Sequence, residues 1–256
     1  MNKTTIQHIK NFKKAIAPFA ALTAYDFNSA QILDEAGIPL ILVGDSASMT
    51  MYGYDTTVPI SMQEMLLVVK AVCRGVENSL IVADMPFLSY QPSIEETIKN
   101  AGILIKEGGA HAVKLEGGEY VYENINALVK SGIPVLGHIG LMPQSVNQTS
   151  GYKIQGKTKE DAIQIINDAK AVERAGAFGI VLECVPESLA TTITNELSIP
   201  TIGIGSGNTC DGQIQVFHDI IGLAKSKPPK HAKQYSNIYQ TILNAVKKYQ
   251  TDINNL

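Results

Sequence analysis

The chain has 256 residues, 45% hydrophobic and 18% charged, with a formal net charge of −3. That length supports one large core, and the weak acidity gives no general attraction to nucleic acid or to anionic lipid at a membrane surface. Cys73, Cys184 and Cys210 are odd in number and far apart, which argues against a disulfide framework and a zinc site and suits a reducing, cytoplasmic setting.

The N-terminal segment carries Lys3, Lys10, Lys13 and Lys14 without a continuous apolar stretch, and no later run approaches a membrane span in length. We therefore expect a soluble, unprocessed protein. The apolar run Phe19 to Ala24 predicts a buried strand. A second, Leu40 to Val43, follows Ala36-Gly37-Ile38-Pro39, where glycine ends a helix and proline prevents its continuation. Ser61 and Glu64 form a capping-box pattern ahead of Met62, Met65, Leu66 and Val69, so a helix should begin there. Leu80 to Ala83 predicts the third strand, and Ser93 with Glu96 repeats the cap before Ile94, Ile98, Ala101 and Ile105.

Further strands are expected at Ala112 to Leu115, from Val135, at Gly179 to Leu182 and at Thr201 to Ile204. Ser131-Gly132-Ile133-Pro134 and Ser198-Ile199-Pro200 repeat the helix-stopping turn, and Thr158 precedes a helix with Ala162, Ile165, Ile166 and Ala169 on one face. The eighth strand is placed at Ile214 to His218, where Ile214, Val216 and His218 alternate with Gln215 and Phe217. Lys225, Lys227, Lys230 and Lys233 around Pro228 and Pro229 read as a solvated connector. No linker interrupts the chain, so residues 1–256 are expected to form one α/β domain, a single (β/α)8 TIM barrel with terminal helical extensions. A doubly wound open sheet is the alternative.

Asp26, Asp45, Asp84, Glu116, His138 and Glu183 each stand close behind an apolar run, and in a parallel barrel those ends converge on the rim that carries active sites. An Asp in such a place also serves as the N-cap of the next helix. Several carboxylates in one mouth repel one another unless a cation or a proton offsets the charge. Oxygen donors favour Mg2+, which can accept a 2-oxo acid through its carboxylate and keto oxygens. Lys114 precedes Glu116 by two residues and shares its side of the strand, where it can meet an anionic substrate or be satisfied by Glu116. Cys184 reads as packing, and Gly203, Gly205 and Gly207 as a tight turn or an anion-approach loop.

Segments from Thr23 onward then coincide with a known pattern. They are Thr23-Ala24-Tyr25-Asp26, Val43-Gly44-Asp45-Ser46, Tyr52-Gly53-Tyr54-Asp55-Thr56-Thr57, Ala83-Asp84-Met85-Pro86-Phe87 and Lys114-Leu115-Glu116-Gly117-Gly118. Gly137-His138-Ile139-Gly140-Leu141, Pro143-Gln144-Ser145, Gly151-Tyr152-Lys153 and Gly203-Ile204-Gly205 continue it. On these residues the chain resembles the ketopantoate hydroxymethyltransferase family, also called 3-methyl-2-oxobutanoate hydroxymethyltransferase. The resemblance implies a barrel with Mg2+ held by Asp45, Asp84 and Glu116, and 3-methyl-2-oxobutanoate contacted by Asp45, Ser46, Asp84 and Lys114. It implies Glu183 as proton acceptor, 5,10-methylenetetrahydrofolate as the one-carbon donor, and a homo-oligomer, commonly a decamer. The product would be 2-dehydropantoate, on the route to pantothenate and coenzyme A. Ala47-Ser48, Met142 and Ser206 stand where the family usually shows Leu-Gly, Thr and Ala. The competing readings are a Mg2+-dependent 2-oxo acid lyase or mutase of the phosphoenolpyruvate mutase and isocitrate lyase type, and a metabolite-binding barrel without turnover.

Overall fold

The computed structural model of the chain describes residues 3–149, 151, 153–225 and 227–256. The chain forms two compact units, Met1–Ile214 and Gln215–Leu256, and each is taken by itself.

The first unit opens with α1 (Ile6–Asn11), which Thr5 caps in a reciprocal box with His8. Strands and helices then alternate: β1 (Phe19–Thr23), α2 (Phe27–Glu35), β2 (Leu40–Val43), α3 (Ala47–Thr50), α4 (Met62–Gly75) and β3 (Leu80–Asp84). They continue as α5 (Ile94–Lys106), β4 (Ala112–Glu116), α6 (Tyr122–Lys130), β5 (Val135–Gly140), α7 (Val146–Thr149) and α8 (Lys159–Arg174). β6 (Gly179–Glu183), α9 (Glu187–Glu196), β7 (Thr201–Ile204) and β8 (Gly212–Gln215) complete the barrel. The strands close in sequence order, β1 to β8, and the ladders from β1–β2 through β7–β8 are parallel, so the open-sheet alternative does not hold.

The helix starts follow the local chemistry. Ser61 and Glu64 exchange the capping-box bonds at α4. Ser93 accepts from the Glu96 amide and Thr158 from the Asp161 amide, each cap contributing about 1 kcal/mol. Gly37 and Gly132, after α2 and α6, have φ of 77° and 82°, the left-handed geometry that ends a helix before Pro39 and Pro134.

The eighth strand sits earlier than the alternation of Ile214, Val216 and His218 predicts. β8 ends at Gln215, and Phe217–Ile221 is helical, with Asp219 N bonded to Val216 O at 3.1 Å. Phe217 is buried, so it does not take the outward place that an extended strand would give it. An alternating run of five residues also fits a strand end followed by one helical turn, and hydrogen bonding decides between them.

Side chains facing the barrel interior form layers, because alternate residues of a strand share one side. Leu80 and Val82 precede Asp84 on β3, Ala112 precedes Lys114 and Glu116 on β4, and Leu136 precedes His138 on β5. The lower residues of these sets join Ile9, Phe19, Leu40, Leu42, Phe178, Val181, Ile202 and Ile214 in one apolar core. Phe12 stacks on Phe19 with ring centroids 4.4 Å apart, sealing that end. Oil fills the bottom of the barrel and charge its top.

In the second unit, α10 (Phe217–Ile221) ends at Gly222, and α11 (Ile238–Asn254) buries none of its residues. Its exposed face carries Ile242, Val246, Tyr249 and Ile253. Lys233 stacks over the Tyr235 ring at 5.0 Å. Among the described residues, no helix is long and apolar enough to cross a membrane.

Candidate active site

Strand register places the charged residues. Asp84 is the β3 partner of Lys114 on β4, and Glu116 is the β4 partner of His138 on β5. Lys114 Nζ bonds Asp84 Oδ1 at 2.5 Å, with both side chains almost completely buried. Asp84 is therefore the partner of Lys114, in place of the Glu116 pairing considered from the sequence. Asp45, just beyond β2, donates its main-chain N–H to Asp84 Oδ2 at 2.9 Å. A Cβ at Gly44 would stand 2.7 Å from Ser46 Oγ, so a side chain there would displace that hydroxyl, while Asp84 Oδ2 at 3.5 Å would be in ordinary contact. Ser46 precedes α3 without capping it, and its hydroxyl lies 2.7 Å from Tyr25 Oη.

His138 lies between two carboxylates. Its Nε2 is 3.2 Å from Glu183 Oε2 and its Nδ1 is 3.6 Å from Glu116 Oε1, yet neither nitrogen makes an aligned hydrogen bond. Glu183 closes β6, opposite Gly140 of β5. Behind it Cys184 has a left-handed φ of 49° and donates its N–H to Ile204 O at 2.9 Å. Burial, reinforced by Glu183, pushes the Cys184 thiol up to about 11, so it is protonated at neutral pH and reads as packing rather than nucleophile. Gly205 and Gly207, with φ of 63° and 76°, make a tight turn after β7. Ser206 between them is fully buried, and its hydroxyl donates to Leu182 O and accepts from Val185 N.

The electrostatics follow from burying several acids around one base. Burial and then the Asp84 charge push Asp45 up to about 7, with Lys114 and the Gln144 amide opposing. Burial also raises Glu116, against the pull of Lys114 and with the push of Asp45 and Asp84. Burial works against the Lys114 ammonium, but Asp84, Glu116 and Asp45 outweigh it and hold it above the ordinary lysine range. Burial and then Lys114 depress His138, so its imidazole is neutral at physiological pH.

Asp26 does not join this group. It caps α2, accepting from Ser29 N at 2.9 Å and Ser29 Oγ at 2.7 Å. The sequence reading also passed over Tyr90 and assigned Gln144 no role. Gln144 bridges Asp45 and Glu116, and Tyr90 Oη reaches Gln144 and the Glu116 backbone. Gln144 falls in a segment that matches the family pattern and Tyr90 does not, and spacing assigns a role to neither because their partners lie on distant elements. Tyr152, part of a matching segment, lies outside the described residues.

Among the described residues, no group of three or more His, Cys, Asp or Glu is arranged to hold a metal ion. The donor chemistry still suits a hard cation. Asp45, Asp84 and Glu116 offer only oxygen and share the buried Lys114 as counter-charge, a deficit of positive charge seen in the raised Asp45 and Glu116. Mg2+ commonly uses few protein carboxylates and completes its shell with water and substrate, so a closed cage is not required of the protein.

The sequence profile of a family described as ketopantoate hydroxymethyltransferase matches residues 3–256. A 3-methyl-2-oxobutanoate hydroxymethyltransferase of Dehalococcoides mccartyi (strain CBDB1) is 54% identical over 251 residues, covering 98% of this chain and 90% of the relative. One from Clostridioides difficile (strain 630) is 52% identical over 252 residues, covering 98% and 92%. In three dimensions the fold is similar to a phosphonopyruvate hydrolase solved with oxalate and Mg2+, at TM-score 0.65 and 14% identity, covering 100% of this chain and 88% of that one. It is also similar to a phosphoenolpyruvate phosphomutase from Streptomyces platensis subsp. rosaceus, at TM-score 0.64 and 12% identity, covering 98% and 88%.

Proposed function

Since the chain belongs to the ketopantoate hydroxymethyltransferase family and is an enzyme of that activity, we propose that it uses Mg2+ and takes its one-carbon unit from 5,10-methylenetetrahydrofolate. The acceptor is 3-methyl-2-oxobutanoate and the product 2-dehydropantoate, feeding pantothenate and coenzyme A synthesis. The observation that carries this reading is the buried set of Asp45, Asp84 and Glu116 around Lys114, with His138 and Glu183 alongside.

Asp45, Asp84 and Glu116 would hold Mg2+, whose Lewis acidity polarises the keto group of the oxo acid. Lys114, fixed by Asp84, offers positive charge to the substrate carboxylate, and Ser46 Oγ, oriented by Tyr25, offers a hydrogen bond. Glu183 takes the C3 proton, and C3 bonds to the methylene carbon of the folate as one of its two C–N bonds breaks. Water replaces the other nitrogen to give the hydroxymethyl group, the C3 proton and the water proton ending on the two nitrogens of the released tetrahydrofolate. Neutral His138 lies 3.2 Å from Glu183 without adding a second fixed cation beside it.

We read residues 1–256 as one catalytic domain, since the family profile spans nearly all of them. We also infer a cytoplasmic homo-oligomer. Free Cys73, Cys184 and Cys210 support a reducing compartment, and the exposed Ile242, Val246, Tyr249 and Ile253 of α11 support self-association. The deciding assay combines 3-methyl-2-oxobutanoate and methylenetetrahydrofolate with and without Mg2+ and follows hydroxymethylated product. Product that forms equally after chelation removes Mg2+ from the reaction. A chain that binds the oxo acid but forms no product is a binding barrel without turnover.

A further inference from the structure

Gln144 is a buried glutamine in a loop, and each polar atom of its side chain is bonded. It sits in the one-turn 3-10 helix Pro143–Ser145 that follows β5. Pro143 opens that turn, and the main-chain N–H of the next residue is free of helical bonding, as first-turn donors are. It donates instead to Glu116 Oε2 at 3.1 Å. The side-chain Nε2 donates both to Asp45 Oδ2 and to Met85 O, each at 2.9 Å. Oε1 accepts from Tyr90 Oη at 2.8 Å.

The Met85 carbonyl, which can only accept, fixes which way round the amide lies. Tyr90 Oη accepts from Glu116 N at 3.2 Å and stands within donating distance of both Gln144 Oε1, at 2.8 Å, and Glu116 O, at 3.1 Å. A flipped amide would turn its oxygen toward the Asp45 carboxylate and the Met85 carbonyl and its NH2 toward Tyr90, losing the bonds to Asp45 and Met85. The amide is thus held in one orientation, and the residue places one donor on each of two acids, its side-chain amide on Asp45 just beyond β2 and its main-chain N–H on Glu116 of β4.

We infer that Gln144 is a positioning residue that sets the spacing of Asp45 and Glu116 and so prepares the pocket for a divalent cation. This rests on the proposed reading of that pocket as a cation site. Lys114 offsets part of the charge of the two acids, and Gln144 adds hydrogen bonds that reach both of them. Tyr90 supports the arrangement from behind, bonding Gln144 Oε1 and the main chain of Glu116.

The test uses full-length protein stripped with chelator and titrated with Mg2+ by calorimetry. Gln144→Met keeps the length of the side chain and the backbone bond to Glu116 but deletes both amide donors and the acceptor. We expect its Mg2+ affinity to fall by about 10- to 100-fold, the usual loss when a group supporting a metal ligand is removed. Tyr90→Phe, which keeps the Gln144 side chain, should weaken binding less. In an Asp45→Asn background the Gln144→Met substitution should add little further loss. A merely structural glutamine would lower the melting temperature while leaving the affinity of the folded protein unchanged. Unchanged affinity in folded Gln144→Met overturns the inference; should that variant not fold, unchanged affinity in Tyr90→Phe does so. Wild type that takes up no Mg2+ overturns the cation reading itself and this inference with it, a result distinct from wild type and variant binding alike.

Discussion

His138 Nε2 lies 3.2 Å from Glu183 Oε2, so the neutral imidazole on β5 and the carboxylate on β6 face each other across adjacent strands. This pairing leaves the outcome of proton transfer to be read at either member.

If Glu183 removes the C3 proton, Glu183→Gln should abolish hydrogen exchange at C3 of 3-methyl-2-oxobutanoate in D2O. Loss of a general base commonly costs about 100- to 10,000-fold. The Michaelis constant for the oxo acid should change little, because Gln is nearly isosteric and the loss is one of turnover. Exchange at the wild-type rate in Glu183→Gln would move the proton to His138.

Lys114→Met removes the charge proposed to meet the substrate carboxylate while keeping most of the stem. We expect a higher Michaelis constant for the oxo acid and a smaller effect on folate. The substitution also strands buried Asp84, and breaking such a pair costs about 3–5 kcal/mol, so the melting temperature should drop as well. A change confined to the folate constant would assign Lys114 to a different pocket.

Gly140 has φ of 92°, and a Cβ there would stand 2.3 Å from the main-chain O of Glu183. Gly140→Ala therefore strains the backbone and pushes the end of β6 away. Turnover should fall while Mg2+ affinity stays near wild type, since none of Asp45, Asp84 and Glu116 lies on β6. Wild-type kinetics in Gly140→Ala would show that the strand end tolerates the displacement.

Asp34, at the end of α2, accepts from Glu77 N, Asn78 N and Nδ2, and Ser79 N and Oγ. Burial opposes its ionisation, but those bonds hold its carboxyl down at about 2, against an ordinary value of 3.8. A depressed acid stabilises the fold above its unfolded pKa, and the contribution is lost as pH falls through the folded value. Wild-type stability owed to Asp34 should thus disappear between about pH 4 and pH 2. Asp34→Ala should cost roughly 1–3 kcal/mol at neutral pH in urea unfolding, and the difference from wild type should shrink across that window. A difference independent of pH would rule out the carboxylate as its source.

Much of the fold was legible because it depends on neighbours in sequence. The Ser61 and Thr158 caps, the Gly37 and Gly132 turns and the apolar runs of β2, β3 and β6 all state their structure locally. Asp45, Asp84, Glu116, His138 and Glu183 were findable because each stands close behind such a run, and Lys114 because it precedes Glu116 by two residues on the same strand. What escaped depended on distance or competition. Gln144 and Tyr90 take their meaning from Asp45 and Glu116, far along the chain. Asp26 carried the same signal as Asp45, and whether an acid after a strand caps a helix or enters the barrel is decided by backbone geometry that spacing does not encode. Val216 and His218 alternated like a strand and belong to a helix start.

The order of the strands around the barrel has a consequence for how the chain is made. Each strand from β1 to β7 lies beside its successor, so every pairing but one forms across a single intervening crossover. The exception is the seam where Phe19 N reaches Asp211 O at 3.1 Å, joining the two ends of the barrel. During synthesis, all of Asp45, Asp84, Lys114, Glu116, His138 and Glu183 emerge before that seam can close. Beside burial itself, the groups that set Asp45 at about 7 are Asp84, Lys114, Gln144 and Glu183, and all of them precede that seam in the chain.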